Sequence, residues 1–206
     1  ALRIYWNHIK AKGWADKMVL YVSDEPTYWD RSVVTRLKAV CRMIHEVDPE
    51  IPIYSSTWAH KADWNDSIDV WGAGAYGCFP VKEMENVRKR GKRLWFTTDG
   101  QFAVTTPYTA LEQLMAVYAH VYGAERYEYW GVNWVTIPPW RYGWHSYSTE
   151  GCFRGISGSG FIAYPPMPES GDPRPCASVR MAAVRDGVEL RSYLDLLEGL
   201  AKGTGG

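Results

Sequence analysis

Positions 24–26 read Asp-Glu-Pro, directly after the apolar run Met18-Val-Leu-Tyr-Val22. Two adjacent carboxylates at the tip of a buried strand repel one another, and low-dielectric surroundings raise the pKa of at least one. That arrangement is poor for stability and useful for acid/base chemistry. Neighbours within a regular strand point to opposite faces. Asp24 and Glu25 can therefore serve one cleft only beyond the ladder, where strand becomes loop. Pro26 is expected to hold Glu25 in an extended conformation. The plainer alternative makes Asp24 the cap of the next helix and leaves Glu25 in solvent.

Other candidates also sit at strand tips. Asp99 follows Arg93-Leu-Trp-Phe-Thr-Thr98 and either binds a hydroxyl of a ligand or forms a turn with Gly100. Tyr76 and Asn133 close two further apolar segments. Trp58 and Trp134 lie past strand ends and suit stacking on a flat apolar face such as a sugar ring. Trp71, Trp95 and Trp130 lie on strands, where alternation sends half of the rings inward. Trp140 and Trp144 fall in a loop that could act as a lid. His60 and His145 have no partner at metal-ligand spacing and read as solvated or structural. Cys41, Cys78, Cys152 and Cys176 form no CxxC pair and read as free, packed thiols. No metal or cofactor is expected.

Elements must bring these tips together. Leu2, Tyr5, Trp6 and Ile9 recur at helical spacing over residues 1–13. Residues 18–22 read as a strand, and 29–47 as a helix with Val33, Val34, Leu37, Val40, Cys41 and Ile44 on one face. Strands are expected at 52–57, 68–71, 93–98 and 126–130. Helices are expected at 81–90, 107–122 and 178–200, with loop from 135 to 175 broken by a short strand at 161–164. Short strands alternating with helices predict a parallel sheet with crossovers. Gly72-Ala-Gly-Ala lacks the following helix that a dinucleotide fingerprint needs. Polar and aromatic groups at successive C-terminal strand ends favour a (β/α)8 barrel. Five main strands where closure needs eight predict a partial TIM barrel, roughly strands four to eight plus a C-terminal helix. This α/β reading assigns residues 1–202 to the C-terminal portion of a barrel, with 203–206 a disordered tail. The missing strands are expected upstream, and a chain lacking them is expected to be poorly soluble alone.

Composition narrows the partners. Lys+Arg and Asp+Glu are both 23, so the formal net charge is zero and bulk attraction to nucleic acid or anionic membrane is excluded. No apolar run is long enough to span a bilayer. Eleven Trp and 14 Tyr in 206 residues supply rings for a core or for a ligand cleft.

Several segments together resemble one family. The run "DKMVLYVSDEP", then "RLWF", "YEYWGVNW", "GSGFIAYPP" and "SVRMAAVRDGVELRSYLDLL" are similar, in that order, to the catalytic domain of glycoside hydrolase family 123. The resemblance implies a barrel that removes a terminal β-linked N-acetylgalactosamine by substrate-assisted catalysis, outside the two-carboxylate scheme. It implies that Asp24 orients the 2-acetamido group and that Glu25 is the acid/base. The partner is then a glycan with a terminal N-acetylhexosamine, contacted by Trp58, Tyr76, Asp99, Asn133 and Trp134. Two other readings stay open: a carbohydrate-binding barrel remnant without catalysis, and a conventional glycosidase pairing Glu25 with Asp99.

Overall fold

A computed structural model of the chain describes residues 1–26, 29–57, 60–73, 80–98, 113–129, 131–133, 139–142 and 161–203. Its helices are α1 (Leu2–Ala11), α2 (Arg31–Val47), α3 (Val81–Lys89), α4 (Ala119–Tyr122), α5 (Pro139–Tyr142) and α6 (Val179–Gly203). The strands β1 (Leu20–Ser23), β2 (Ile53–Thr57), β3 (Val70–Ala73), β4 (Arg93–Thr98) and β5 (Arg126–Tyr129) form a sheet in that order. The order of the sheet follows the order of the chain, as expected of successive crossovers. The β1/β2 and β2/β3 pairs are parallel. The chain clusters into two compact units, Ala1–Trp95 and Phe96–Gly206.

In the first unit each crossover is fastened at its ends. Asp30 caps α2, its Oδ1 accepting the Ser32 N–H at 2.8 Å and the Val33 N–H at 3.4 Å. The cap that the plainer alternative gave to Asp24 is thus supplied six residues later, by Asp30. Leu37, Cys41 and Ile44, spaced i, i+4, i+7, form the buried stripe of α2. Val40, expected on that stripe, is exposed instead, because it falls on the flank of the helix. Burial pushes the Cys41 thiol up to about 11, with Asp69 adding to the effect, so it packs as a small apolar group. Within α1, Trp6 and Ile9 are buried and Tyr5 is exposed.

Carboxylates fasten the N-terminal ends of the strands. Asp48 Oδ2 accepts the Trp6 Nε1–H at 2.9 Å and Lys10 Nζ at 2.6 Å, joining α1 to the end of α2. Asp69 Oδ2 meets His45 Nε2 and the Ile53 N–H, both at 3.0 Å, while Oδ1 accepts Lys92 Nζ at 2.8 Å. One side chain thereby ties α2, β2 and the approach to β4.

The β1/β2 ladder contains one irregularity. Leu20 pairs with Ile53 and Tyr21 with Tyr54, but Ser23 pairs with Ser55. Val22 is an extra residue in β1, a bulge.

In the second unit, α6 packs along the helical segment that precedes β5. Ala183 is buried there among Leu114, Tyr127, Tyr129 and Val184. Ser178 starts α6, its Oγ accepting the Met181 N–H at 3.1 Å and donating to the Ile162 carbonyl. Within the expected helix 107–122, residues 113–118 form a π-helix that tightens to α-helix only at Ala119. The strand expected at 161–164 is shorter, Ala163–Tyr164 (β6), and pairs antiparallel with an unexpected partner, β7 (Cys176–Ala177). No described helix is long and apolar enough to cross a membrane.

Candidate active site at the strand tips

The bulge decides what meets Asp24. In a regular strand, Tyr21 and Asp24, three apart, would face opposite sides. The extra residue shifts the alternation by one step and puts both on one side. Tyr21 O–H accordingly reaches Asp24 Oδ1 at 2.8 Å. The same shift brings Asp24 beside Ser56, whose Oγ lies 3.2 Å from Asp24 Oδ1 and 2.8 Å from Tyr21 Oη. Ser56 Oγ also lies 3.5 Å from the Glu25 N–H, which points to it. Ser56 is 6% exposed, whereas Asp24 and Tyr21 open to solvent. Its neighbour is fixed as well, with Ser55 Oγ donating to the Ser23 carbonyl at 2.9 Å.

Glu25 departs from expectation. Its φ is +39°, the left-handed region, not the extended conformation expected ahead of Pro26. Such a conformation in a non-glycine residue costs of order 1–3 kcal/mol and concentrates at functional sites. It follows directly after the bulge, with the Glu25 N–H directed at Ser56 Oγ.

Aromatic rings flank the cluster. Tyr21 and Tyr54 lie 5.1 Å apart between ring centroids, and Tyr54 and Trp95 lie 4.9 Å apart. Tyr21 is half exposed, while Tyr54 and Trp95 are buried. The rings follow one face from β1 to β4. Gly72 of β3 makes room for Tyr54: a Cβ there would stand 2.7 Å from the Tyr54 hydroxyl and 3.0 Å from Ser56 Cα.

His60 proves structural. Its side chain is 3% exposed, with Nδ1 at 2.6 Å from Glu83 Oε2 and Nε2 at 3.0 Å from Asn65 Oδ1. The Asn65 amide donates through Nδ2 to the Ala62 carbonyl, so its oxygen is the acceptor facing His60. The hydrogen bond from His60 holds the Glu83 carboxyl below the usual range. Trp71 packs edge-on against His60 at 4.7 Å and belongs to the core.

Of the residues singled out in the sequence, Asp24 and Glu25 come together with Tyr21 and Ser56. Asn133 belongs to the second unit, where it is exposed and bridges to Phe161. Trp58, Tyr76, Asp99 and Trp134 lie outside the described residues, as do Trp130, Trp144, His145, Cys78 and Cys152. Trp140 is described, and its Nε1–H donates to the Pro166 carbonyl at 2.9 Å. Cys41 and Cys176 are free thiols. Tyr21 and Ser56, which hydrogen-bond to Asp24, do not stand out in the sequence as Asp24 and Glu25 do. Tyr21 is disguised in an apolar run, and Ser56 in a hydroxyl-rich strand end whose signal, Ser55-Ser56-Thr57, was present.

One other cluster carries possible ligand atoms. His120, Asp195 and Glu198 place theirs within 4.8 Å of one another. Arg191 Nε already pairs with Asp195 at 2.8 Å and Lys202 with Glu198 at 2.7 Å, so both charges are met by cations of the same helix.

Parallel strands with helical crossovers define an α/β domain, and Asp24 and Glu25 stand just beyond the C-terminal end of β1. More specifically, the chain belongs to a glycoside hydrolase family: the model of the glycoside hydrolase 123 catalytic domain matches residues 2–197. Among solved structures, the chain is similar to a family 123 glycoside hydrolase from Clostridium perfringens, described for the details of glycolipid glycan hydrolysis. The two share 16% identity at a TM-score of 0.63, over 98% of this chain and 35% of that one. The likeness is one of fold, and the chain spans about a third of that protein's length. No curated protein sequence matches.

Proposed function

We propose that Asp24 and Glu25 are the catalytic pair of a retaining exo-β-N-acetylgalactosaminidase that works through an oxazolinium intermediate. The observation that carries this reading is that the two adjacent carboxylate residues are held by different means. Asp24 is held through its side chain by two hydroxyls. Glu25 is held through its backbone in a left-handed turn. Neighbours so fixed can address different atoms of one sugar. Family membership supports glycoside chemistry.

In this mechanism the substrate's acetamide oxygen attacks the anomeric carbon. The bond to the leaving oxygen breaks as Glu25 gives that oxygen a proton. Asp24 accepts a hydrogen bond from the acetamide N–H and stabilises the positive charge that develops on the ring being closed. Glu25, now ionised, takes a proton from water, which attacks the anomeric carbon and reopens the ring with the β configuration retained. Trp58 and Tyr76, of the same unit as Asp24, are proposed to contact the sugar.

The test is made on the natural protein that carries this chain. Aryl β-N-acetylgalactosaminide should be cleaved, and aryl β-galactoside, which lacks the acetamide, should not. Glu25→Gln should lose about 10²–10⁴-fold on natural sugar–sugar bonds while sparing a nitrophenyl leaving group, which needs no proton. Asp24→Asn should slow both alike. Equal cleavage of the two aryl glycosides would overturn the mechanism.

A further inference from the structure

Tyr21, Ser56 and Asp24 Oδ1 make a triangle of oxygens with edges of 2.8, 2.8 and 3.2 Å. Two hydroxyls supply two hydrogens for these three edges, so with Asp24 ionised one edge has none of its own. Both go to the charged acceptor: Tyr21 O–H and Ser56 O–H each donate to Asp24 Oδ1. The Tyr21–Ser56 edge closes the triangle without a hydrogen of its own. The Glu25 N–H donates in turn to Ser56 Oγ. Two donors thus converge on Asp24, and the Glu25 N–H polarises one of them. All of it ends on one carboxylate oxygen. Among the described residues nothing bonds Asp24 Oδ2.

We infer that Tyr21 is a positioning residue of the reaction, with Ser56 beside it as a second donor to Asp24 Oδ1. By fixing Oδ1, the Tyr21 hydroxyl sets the rotation of the Asp24 carboxylate and presents Oδ2 to the acetamide N–H of the substrate. This rests on the proposed role of Asp24. Ring packing supports the orientation: Tyr21 leans on Tyr54, which leans on Trp95, so the hydroxyl is aimed by a stack. The bulge at Val22 is the backbone feature that makes the contact possible. A carboxylate held at one oxygen loses its freedom before substrate arrives, as preorganised stabilisation requires.

The experiment is a double-mutant cycle on the natural protein, with Tyr21→Phe, Asp24→Asn and the pair. Tyr21→Phe removes one hydroxyl and keeps the ring stack. It should lower kcat about 10–100-fold, by analogy with the partners that orient metal-binding side chains. KM should stay near wild type, and nitrophenyl and sugar leaving groups should slow equally, the signature of Asp24 rather than of Glu25. The double variant should be no slower than Asp24→Asn alone. Ser56→Ala should show the same pattern with a smaller loss, since Tyr21 still reaches Asp24. It also serves as the second probe should Tyr21→Phe lower the melting temperature.

The inference fails if Tyr21→Phe keeps wild-type kcat, if its loss follows leaving-group basicity, or if its loss multiplies with that of Asp24→Asn. In those cases, an acetamide requirement and a slow Asp24→Asn enzyme leave the proposed function standing. If galactosides without the acetamide are cleaved equally well, both fall together.

Discussion

Gly72→Ala is the sharpest test of how the sheet supports the site. The added methyl would stand 2.7 Å from the Tyr54 hydroxyl, 3.0 Å from a Tyr54 ring carbon and 3.0 Å from Ser56 Cα. The last contact is backbone, in the middle of the β2/β3 ladder, and cannot yield without moving Ser56 itself. Tyr54 cannot swing freely either, because it is buried and sits between the rings of Tyr21 and Trp95. Overpacking of this kind costs about 1–3 kcal/mol. Against it stands the gain of about 0.4–1 kcal/mol from replacing glycine where the backbone is compatible. The balance is a net loss of about 1–2 kcal/mol, read as a lower urea midpoint at unchanged slope. Tyr54→Phe removes the nearest atom, so the double variant should recover part of the loss. The Ser56 contact remains, so recovery should be incomplete. Activity should fall as well, since displacing Tyr54 pushes on Tyr21. A Gly72→Ala protein as stable as wild type, or a double variant whose losses simply add, would refute the packing argument.

Two further outcomes concern the frame. Asp30→Ala removes both N-terminal hydrogen bonds of α2 and should cost about 1 kcal/mol in urea unfolding, with Asp30→Ser recovering most of it. The hydrogen bond from Lys10 lowers the Asp48 carboxyl, and that from His60 lowers Glu83. A depressed folded value means stability present above the unfolded values, about 3.9 and 4.3, and lost as pH falls through the folded ones. The urea midpoint should therefore drop as pH is taken from 5 towards 2. Asp48→Asn should flatten that slope, and an unchanged slope would remove Asp48 from the account.

Much of the framework was legible because it rests on local patterns. The strand at 93–98 is set by its own apolar run, and the α2 stripe by Leu37, Cys41 and Ile44 at helical spacing. What stayed hidden depends on partners distant in sequence. The π-helix at 113–118 has a helical pattern that does not reveal its wider turns. The two-residue strand at Cys176 exists because Ala163 and Tyr164 pair with it across a turn. His60 shows no metal-like spacing, and its partners Asn65 and Glu83 are found only in three dimensions. Asp24-Glu25 stands out through its charge, whereas Tyr21 lies inside an apolar run and Ser56 is marked only by its hydroxyl-rich strand end.

The Val22 bulge explains why the partners of Asp24, Tyr21 and Ser56, are hidden in the sequence. Alternation along β1 assigns Tyr21 and Asp24 to opposite faces, and on that assignment Tyr21 belongs to packing and Asp24 to a helix cap. One extra residue in the ladder reverses the assignment for everything that follows it. Asp24 then turns to Tyr21 and Ser56, and the capping duty passes to Asp30. Glu25, carried round in the same displacement, takes a backbone conformation that glycine would adopt more cheaply. A glycine at position 25 would relieve the strain and remove the carboxyl. The strained conformation persists with glutamate in place, and that is the pattern of a position where the side chain, rather than the turn, is what the fold retains.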